Sequence, residues 1–186
     1  MVWTEINRLA WAARVMAILF FGWGAFHVHG EGSEQVSLSP MEFEAVFLSK
    51  LPSYIKWPKD VSASSTNKLI LGILGKDPFD GLLHRLVQGK TVNGRELVVK
   101  TLSADEIGSC HILYVPEASM SRWQKVTKGK VVSGILTVGE TEAFTKSGGV
   151  FRLLVKERKL VINRKNAEAA GLRINSKLLK ISIVEK

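Results

Sequence analysis

The sequence has few of the residues that form covalent or metal-bound scaffolds. Its 186 residues include one cysteine, Cys110, so a disulfide within the chain is excluded. Only four histidines are present, and no His, Cys and carboxylate residues show the spacing of metal ligands. Cys110 opens an apolar segment, which favours a buried, unreactive thiol over a bridge between two chains. We therefore expect no metal site and no other cofactor.

The sequence also lacks an uninterrupted apolar run long enough to cross a bilayer. The nearest is residues 15–26, which follow Arg8 and Arg14 and contain two glycines. A membrane-spanning helix needs about 20 apolar residues, whereas a shorter run after basic residues is typical of an export signal. We expect residues 1–30 to be a cleaved signal peptide and 31–40 a flexible lead-in. The alternative is an uncleaved membrane anchor.

Acidic residues are outnumbered by basic ones. The chain has 26 Lys and Arg against 17 Asp and Glu, a net charge of +9. The basic residues are dispersed and do not alternate with aromatic residues, so a nucleic-acid partner is not expected. A positive charge could meet anionic lipid headgroups or an acidic protein surface, but a solubilising role is the simpler interpretation. We expect no stable membrane insertion once the signal peptide is removed.

Strand-like apolar segments alternate with segments of helical periodicity after residue 40. This alternation predicts a single α/β domain with a mainly parallel sheet and helices on both faces. Only Lys156-Glu157-Arg158 separates the last two strands, which predicts an antiparallel C-terminal hairpin. The predicted strands are 69–74, 97–102, 111–115, 135–138, 150–155 and 158–163; the predicted helices are 43–55, 77–87, 104–107, 119–127, 140–146, 163–171 and 172–183.

Several residues mark where these elements begin, break or end. Pro52 lies inside the first helical pattern and should kink or split it. Asp77-Pro78 predicts a helix start, with Asp as N-cap and Pro at the first position. Asn163 predicts another N-cap, and Gly171 a left-handed helix end.

Two helices are predicted from their apolar spacing. The first helix should bury Phe43, Val46, Phe47, Leu51, Tyr54 and Ile55. The last should bury Leu172, Ile174, Leu178, Leu179, Ile181 and Ile183.

Three short motifs resemble catalytic or phosphate-binding motifs, but each lacks residues or a context that the chemistry requires. Ser53-Tyr54-Ile55-Lys56 has the spacing of a lysine-activated serine, but its companion motifs Ser-Asp-Asn and Lys-Thr-Gly are missing. Gly89-Lys90-Thr91 resembles the end of a phosphate-binding loop, yet it follows a helix, and the first glycine is replaced by His84. Cys110 and His111 are strand neighbours that point to opposite faces. The sequence therefore predicts no enzyme.

Polar and glycine-bearing turns follow several predicted strands. In an open α/β sheet, ligands bind outside the carboxyl ends of the strands. The candidate ligand or partner edge consists of Gly75, Asp77, Pro78, Phe79, Gly139, Glu140, Gly148, Gly149 and Asn163. The simpler interpretation is that these residues make turns and helix caps.

The order of the short motifs resembles one known family. Over residues 42–184 the chain is similar to the YfiR family of exported regulatory proteins (YfiR/HmsC-like), and we assign residues 41–186 to that α/β domain. The matching motifs are Phe47 through Trp57-Pro58, Leu74 to Phe79, Gly89-Lys90, Gly94-Arg95, Cys110 to Leu113, Leu136 to Val138, Gly148-Gly149, Asn163, Ala167, Ala170-Gly171-Leu172 and Ser176 to Leu179.

The resemblance implies a function that the residues alone do not. It implies a periplasmic, non-enzymatic regulator that restrains an inner-membrane signalling enzyme through its periplasmic part. In the better known members that enzyme is a diguanylate cyclase, which makes cyclic-di-GMP. The alternative is a periplasmic small-ligand module acting on a membrane sensor kinase, and a homodimer stays open.

Two positions depart from the pattern of this family. Family members often carry a second cysteine where this chain has Gly72, so the bridge to Cys110 is missing here. A helix former is usual where this chain has Pro52.

Trp57 is expected to anchor the first helix on the core, and an exposed partner contact is the alternative.

Overall fold

A computed structural model describes residues 38–56 and 67–185. The predicted signal peptide (1–30), most of the predicted lead-in and the Trp57-Pro58 pair lie outside the described residues. Ser37–Lys186 form one compact unit.

The described chain alternates strands with helices as the sequence predicts. The α-helices are α1 (Pro40–Lys50), α2 (Leu82–Val87), α3 (Met120–Thr127), α4 (Glu142–Lys146), α5 (Arg164–Ala169) and α6 (Ser176–Lys180). The strands are β1 (Ile55–Lys56), β2 (Lys68–Leu74), β3 (Thr91–Val92), β4 (Arg95–Leu102), β5 (Ile112–Val115), β6 (Leu136–Gly139), β7 (Phe151–Leu154), β8 (Lys159–Asn163), β9 (Arg173–Ile174) and β10 (Ile183–Glu185). Short 3₁₀ helices cover Leu51–Tyr54, Ala104–Ser109 and Glu117–Ser119.

An eight-stranded sheet forms the centre of the domain, with strand order β10-β8-β7-β6-β5-β2-β4-β3. Five neighbouring strands run parallel to one another: β7, β6, β5, β2 and β4. β8 returns antiparallel to β7, with Phe151 opposite Ile162 and Leu154 opposite Lys159. β1 and β9 form a separate antiparallel pair. The predicted α/β class, mainly parallel sheet and C-terminal hairpin are confirmed.

Apolar side chains cover both faces of this sheet. One face carries Leu71, Ile112 and Val138 in a cluster with residues of α1, α2, α5 and α6. The opposite face carries Leu74, Leu113 and Val115, packed against Trp123 of α3 and Phe144 of α4. Strands buried on both faces require near-continuous apolar sequence, which is the pattern that made them predictable.

Three local predictions are confirmed. The first helical pattern is split, because α1 ends at Lys50 and Pro52 lies in the following 3₁₀ turn. The Asn163 side chain accepts a hydrogen bond from the Asn166 N–H at 2.9 Å and so caps α5. Gly171 follows α5 with φ +71°, as expected of a left-handed helix end.

Two predicted helices are wrong. α2 begins at Leu82 and not at Asp77-Pro78, because Asp80 and Gly81 have positive φ angles that a right-handed helix does not admit. The segment predicted as one helix over 172–183 is β9, α6 and β10. Asn175 caps α6 by accepting the Lys177 N–H at 2.9 Å, so the chain turns there instead of continuing.

This break leaves the end of the chain as a sheet edge. β10 pairs with β8 in parallel through three residues. Ile181 is 75% exposed, and Ile183 and Val184 are also exposed. They therefore do not belong to the buried apolar face that the sequence predicted.

The burial predicted for the first helical pattern is confirmed in part: Val46, Leu51 and Ile55 are buried, whereas Phe43, Phe47 and Tyr54 are half-buried. Ala45, Val46 and Leu48 are buried in α1, together with Glu44 and Ser49. Phe43 and Phe47 are only half-buried and pack on each other, with ring centroids 6.2 Å apart. The buried face of α1 also includes Ala45 and Leu48, which the prediction left out.

Gly72 lies beside Cys110, which belongs to the apolar cluster of Trp123 and Phe144. A Cβ placed on Gly72 would lie 3.2 Å from both Cβ and Sγ of Cys110 and would also meet the end of the Leu102 side chain. Cys110 is fully buried, as predicted. Positions 72 and 110 are therefore direct neighbours, and only Cys110 carries a thiol.

Gly72→Cys should allow a disulfide with Cys110, because the two Cβ atoms would lie 3.2 Å apart, close to the lower end, about 3.5 Å, of disulfide Cβ separations, once the end of the Leu102 side chain moves aside. Closing a loop of about 40 residues should make the oxidised variant about 3–4 kcal/mol more stable than its reduced form. Thiol labelling and guanidinium unfolding with and without reductant measure this. Gly72→Ser is the matched control and should not respond to reductant. Two free thiols after oxidation would contradict the prediction.

Candidate functional site

β2 and β5 are adjacent in the sheet, and the helices that follow them pack on opposite faces: α2 follows β2, and α3 follows β5. The crevice between the carboxyl ends of two such strands is the usual ligand position in open α/β sheets. Here the Ser119 hydroxyl donates to the Leu74 carbonyl at 2.6 Å. A Cβ on Gly75 would lie 2.5 Å from Nη1 of Arg122. Side chains of the protein itself thus fill this position.

The turn after β2 is organised by Asp77. Its Oδ1 accepts the Phe79 N–H at 2.8 Å, and its Oδ2 accepts the Gly81 N–H at 3.3 Å. The His84 ring lies 3.5 Å from the same Oδ2 atom. An anion would have to compete with the carboxylate for these N–H groups, so the turn is not suited to phosphate.

Beside this turn, two glutamates meet one tyrosine. The Tyr114 hydroxyl, at the carboxyl end of β5, donates to Oε1 of Glu140 at 2.7 Å. Glu44 reaches the same hydroxyl from α1. Its Oε1 is buried with no hydrogen-bond partner among the described residues. Phe79 packs on the Tyr114 ring, with centroids 5.3 Å apart. We call Glu44, Tyr114 and Glu140 the carboxylate cluster.

Burial dominates the electrostatics of the carboxylate cluster. It raises the pKa of Glu44 to about 7, the charge of Glu140 adds to this, and the hydrogen bond to Tyr114 opposes it. The pKa of Tyr114 is raised by burial and by the two glutamates, so the hydroxyl keeps its proton. The cluster stores a proton near neutral pH but contains no activated nucleophile.

The remaining glycines of the predicted edge make room for Phe144. A Cβ on Gly139 would lie 2.6 Å from the Phe144 ring, and one on Gly149 would overlap the same ring. Gly148 has φ +92°, and a Cβ there would lie 2.5 Å from the Lys130 carbonyl. These glycines are explained by the packing of one aromatic ring and one backbone crossing.

The last residue of the predicted edge, Asn163, lies beside the amino end of β7, which pairs with the carboxyl end of β6. Asn163 ends β8, which runs against β7, and its N–H donates to the Val150 carbonyl at the amino end of β7. Next to it, Asn166 Nδ2 donates to the carbonyls of Thr145 and Gly149 at 3.0 and 2.7 Å. The register sets Phe151 beside Val138 and Arg152 beside Gly139, so Gly148, Gly149 and Asn163 lie a short way from Gly139 along the sheet. Gly75, Asp77, Pro78 and Phe79 follow β2.

The Cys110–His111 pair has no catalytic geometry. Burial raises the pKa of the Cys110 thiol to about 12. His111 is buried, with Nδ1 3.1 Å from the Ile70 N–H and Nε2 2.7 Å from the Arg95 guanidinium. Burial and then the Arg95 charge lower the pKa of His111 to about 4. The thiol therefore stays protonated and the imidazole neutral at neutral pH.

The family model described as YfiR/HmsC-like matches residues 41–183. The chain belongs to the YfiR/HmsC-like family. At the level of that family, the match supports a periplasmic, regulatory and non-catalytic protein in cyclic-di-GMP signalling that acts with a membrane signalling protein. Within residues 38–56 and 67–185, no helix combines the length and apolarity needed to cross a membrane. Nor does any group of three His, Cys, Asp or Glu residues in these ranges form a metal site.

Other comparisons add little to this family assignment. No curated protein matches the chain. Among solved structures, the chain is similar to an ABC domain in complex with L-Trp from Streptococcus pneumonia, at 15% identity and a TM-score of 0.47. That match covers 76% of this chain and 60% of the other. Similarity at this level carries no argument about function.

Sequence reasoning found Glu140 and Phe79 but missed Glu44, Tyr114 and Ser119. One signal could have found Glu44: it precedes Leu48 by four residues and Leu51 by seven, the spacing of one helix face. A carboxylate on the same stripe as two buried leucines is expensive to bury. The prediction gave more weight to Phe43 and Phe47, which are only half-buried.

Gly149→Ala should destabilise this YfiR/HmsC-like domain, because the new methyl group would overlap the Phe144 ring. Overpacking of this kind typically costs about 1–3 kcal/mol. Urea unfolding measures the loss. Gly108→Ala is the matched control, since a Cβ at that position would meet no atom within 4 Å, and it should change stability by less than about 0.5 kcal/mol. Equal stability of the two variants would refute the packing argument.

Proposed function

We propose that this protein is a periplasmic regulator that binds the periplasmic part of an inner-membrane diguanylate cyclase and holds the enzyme inactive. The observation that carries this proposal is the family match over residues 41–183. The chemistry of the described residues agrees with it. The conspicuous titratable groups are a protonated thiol, a neutral histidine and a buried carboxylate cluster, which suit packing and docking better than bond-making.

The proposal includes the processing of the N-terminus. Residues 1–30 act as a cleaved signal peptide, and 31–40 lead into the domain of residues 41–186. Arg8 and Arg14 before the apolar stretch at 15–26 support this assignment. Export would bring the domain to the compartment in which the family acts.

A second candidate function is the binding of a small ligand that acts on a membrane sensor kinase. The observation that favours it is the set of polar groups at the carboxyl ends of β2, β5 and β6. Tyr114 is hydrogen-bonded to Glu140, and the turn that carries Asp77 and the exposed Pro78 leads to Phe79, which packs on the Tyr114 ring. The same edge is our proposed position for partner contact. The two functions are compatible, because a ligand that prefers one conformation shifts partner binding.

Full-length protein expressed in a bacterium with a membrane diguanylate cyclase should lower cellular cyclic-di-GMP, because the exported domain restrains the enzyme. Quantitative mass spectrometry of the nucleotide measures this. Gentle-detergent capture on the processed protein should recover the cyclase. The matched control lacks residues 1–30, stays in the cytosol and should leave cyclic-di-GMP unchanged.

Three outcomes separate the alternatives. Recovery of a sensor kinase without any cyclase would favour the second function. Equal effects of the exported and the cytosolic forms would show that the periplasm is not where the protein acts. Recovery of no membrane signalling protein, with no change in the nucleotide, would contradict both functions.

A further inference from the structure

The carboxylate cluster has fewer hydrogen-bonding protons than its groups require. Tyr114 has one hydroxyl proton, which it donates to Glu140. Glu44 approaches the same hydroxyl, so with both glutamates ionised one carboxylate faces a lone pair of the phenolic oxygen. If Glu44 is protonated, its O–H can donate to the Tyr114 oxygen, and one chain of hydrogen bonds runs from Glu44 through Tyr114 to Glu140.

The missing proton matters for α1 because Glu44 is buried between this helix and the sheet. Glu44 is only 7% exposed, and it lies in α1 beside Ala45 and Leu48, which are fully buried. Its Oε1 atom is unpartnered among the described residues. An ionised carboxylate in such a place loses its hydration and gains no ion pair. Movement of α1 away from the sheet would return it to water.

Charged groups on the neighbouring elements have other partners. On α2, His84 lies beside Asp77, and the Arg85 guanidinium donates to the Asp80 carbonyl. In the β7–β8 turn, Arg158 donates to the Leu38 carbonyl and lies over the Phe43 ring. At the far end of α1, Lys50 lies near Lys90. The groups that act on Glu44 are therefore Tyr114 and Glu140.

We propose that Glu44 is a proton-controlled latch for α1: protonated Glu44 holds the helix on the sheet, and loss of its proton to solvent beside Glu140 releases the helix. This inference goes beyond the proposed function and does not depend on which partner binds. Release would uncover the apolar surface under Ala45 and Leu48, so the exposed surface of the domain would follow the pH of its surroundings.

The direction of the pH effect follows from linkage. Burial raises the pKa of Glu44 from 4.5 to about 7 in the docked helix, whereas in a released helix the carboxyl group would have its ordinary value. The docked state therefore binds the proton more tightly, is favoured below pH 4.5 and loses its advantage as the pH rises through 7. Between pH 5.5 and 8.5 the docking equilibrium should weaken by about 30-fold.

Hydrogen exchange of the intact protein tests the latch. Protection factors, corrected for intrinsic exchange, should fall about 30-fold for the amides of residues 43–50 between pH 5.5 and 8.5. In Glu44→Gln the fall should be less than about threefold, since the amide does not ionise. Glu42→Gln is the matched control on the same helix; it keeps the capping box with Ser39 and should behave as the wild type does.

A second variant, Glu140→Gln, tests the proposal even if Glu44→Gln does not fold. Glu140→Gln removes the neighbouring charge and keeps the Tyr114 partner, so the midpoint of the Glu44 titration should move to lower pH. Carboxyl-carbon NMR of the wild type should place that midpoint near 7. Protection that is independent of pH in the wild type, or an identical pH profile in Glu44→Gln, would overturn the proposal. So would an unchanged Glu44 midpoint in Glu140→Gln.

Discussion

Strand β2 is the element on which the other parts of the fold depend. It pairs with β4 along its whole length from Lys68 to Leu74 and with β5 on its other side. Its side chains contribute to the apolar clusters on both faces. Helices α2 and α3 reach opposite faces because the chain leaves β2 and β5 in opposite directions. The carboxylate cluster, the Asp77 turn and the Gly72–Cys110 contact are all positioned by this strand or its immediate neighbours.

The parts of the fold that could be predicted from sequence are those in which local and tertiary preferences agree. Asn163 caps α5 through a bond to Asn166 only three residues away, so the signal and its partner lie in one window of sequence. The hairpin of β7 and β8 was equally local, since the short connection between Leu154 and Lys159 leaves little choice of pairing. The buried parallel strands were predictable because both faces demand apolar residues.

The failures occur where a distant contact or a backbone angle decided the outcome. Asp77-Pro78 has the residues of a helix start, yet Asp80 at φ +47° turns the chain first. β9 exists because Ile55 and Ile174 pair across the domain, which no local pattern can show. Glu44 faces Tyr114 and Glu140, which lie 70 and 96 residues further along the chain. Sequence reasoning reached half of the candidate site because Glu140 and Phe79 follow strands, whereas Glu44 is visible only as an anomaly in a helix face.

The solitary thiol has a consequence for how the protein matures. Cys110 is fully buried in the apolar cluster that also contains Leu102, and burial raises the pKa of its thiol to about 12, so the reactive thiolate is scarce at neutral pH. A chain with a single cysteine can reach its native state without help from thiol-oxidising catalysts, and it has no second thiol with which to form a wrong disulfide. The fold therefore depends on noncovalent packing alone, and changes in the redox state of its surroundings should leave the folded domain unaffected.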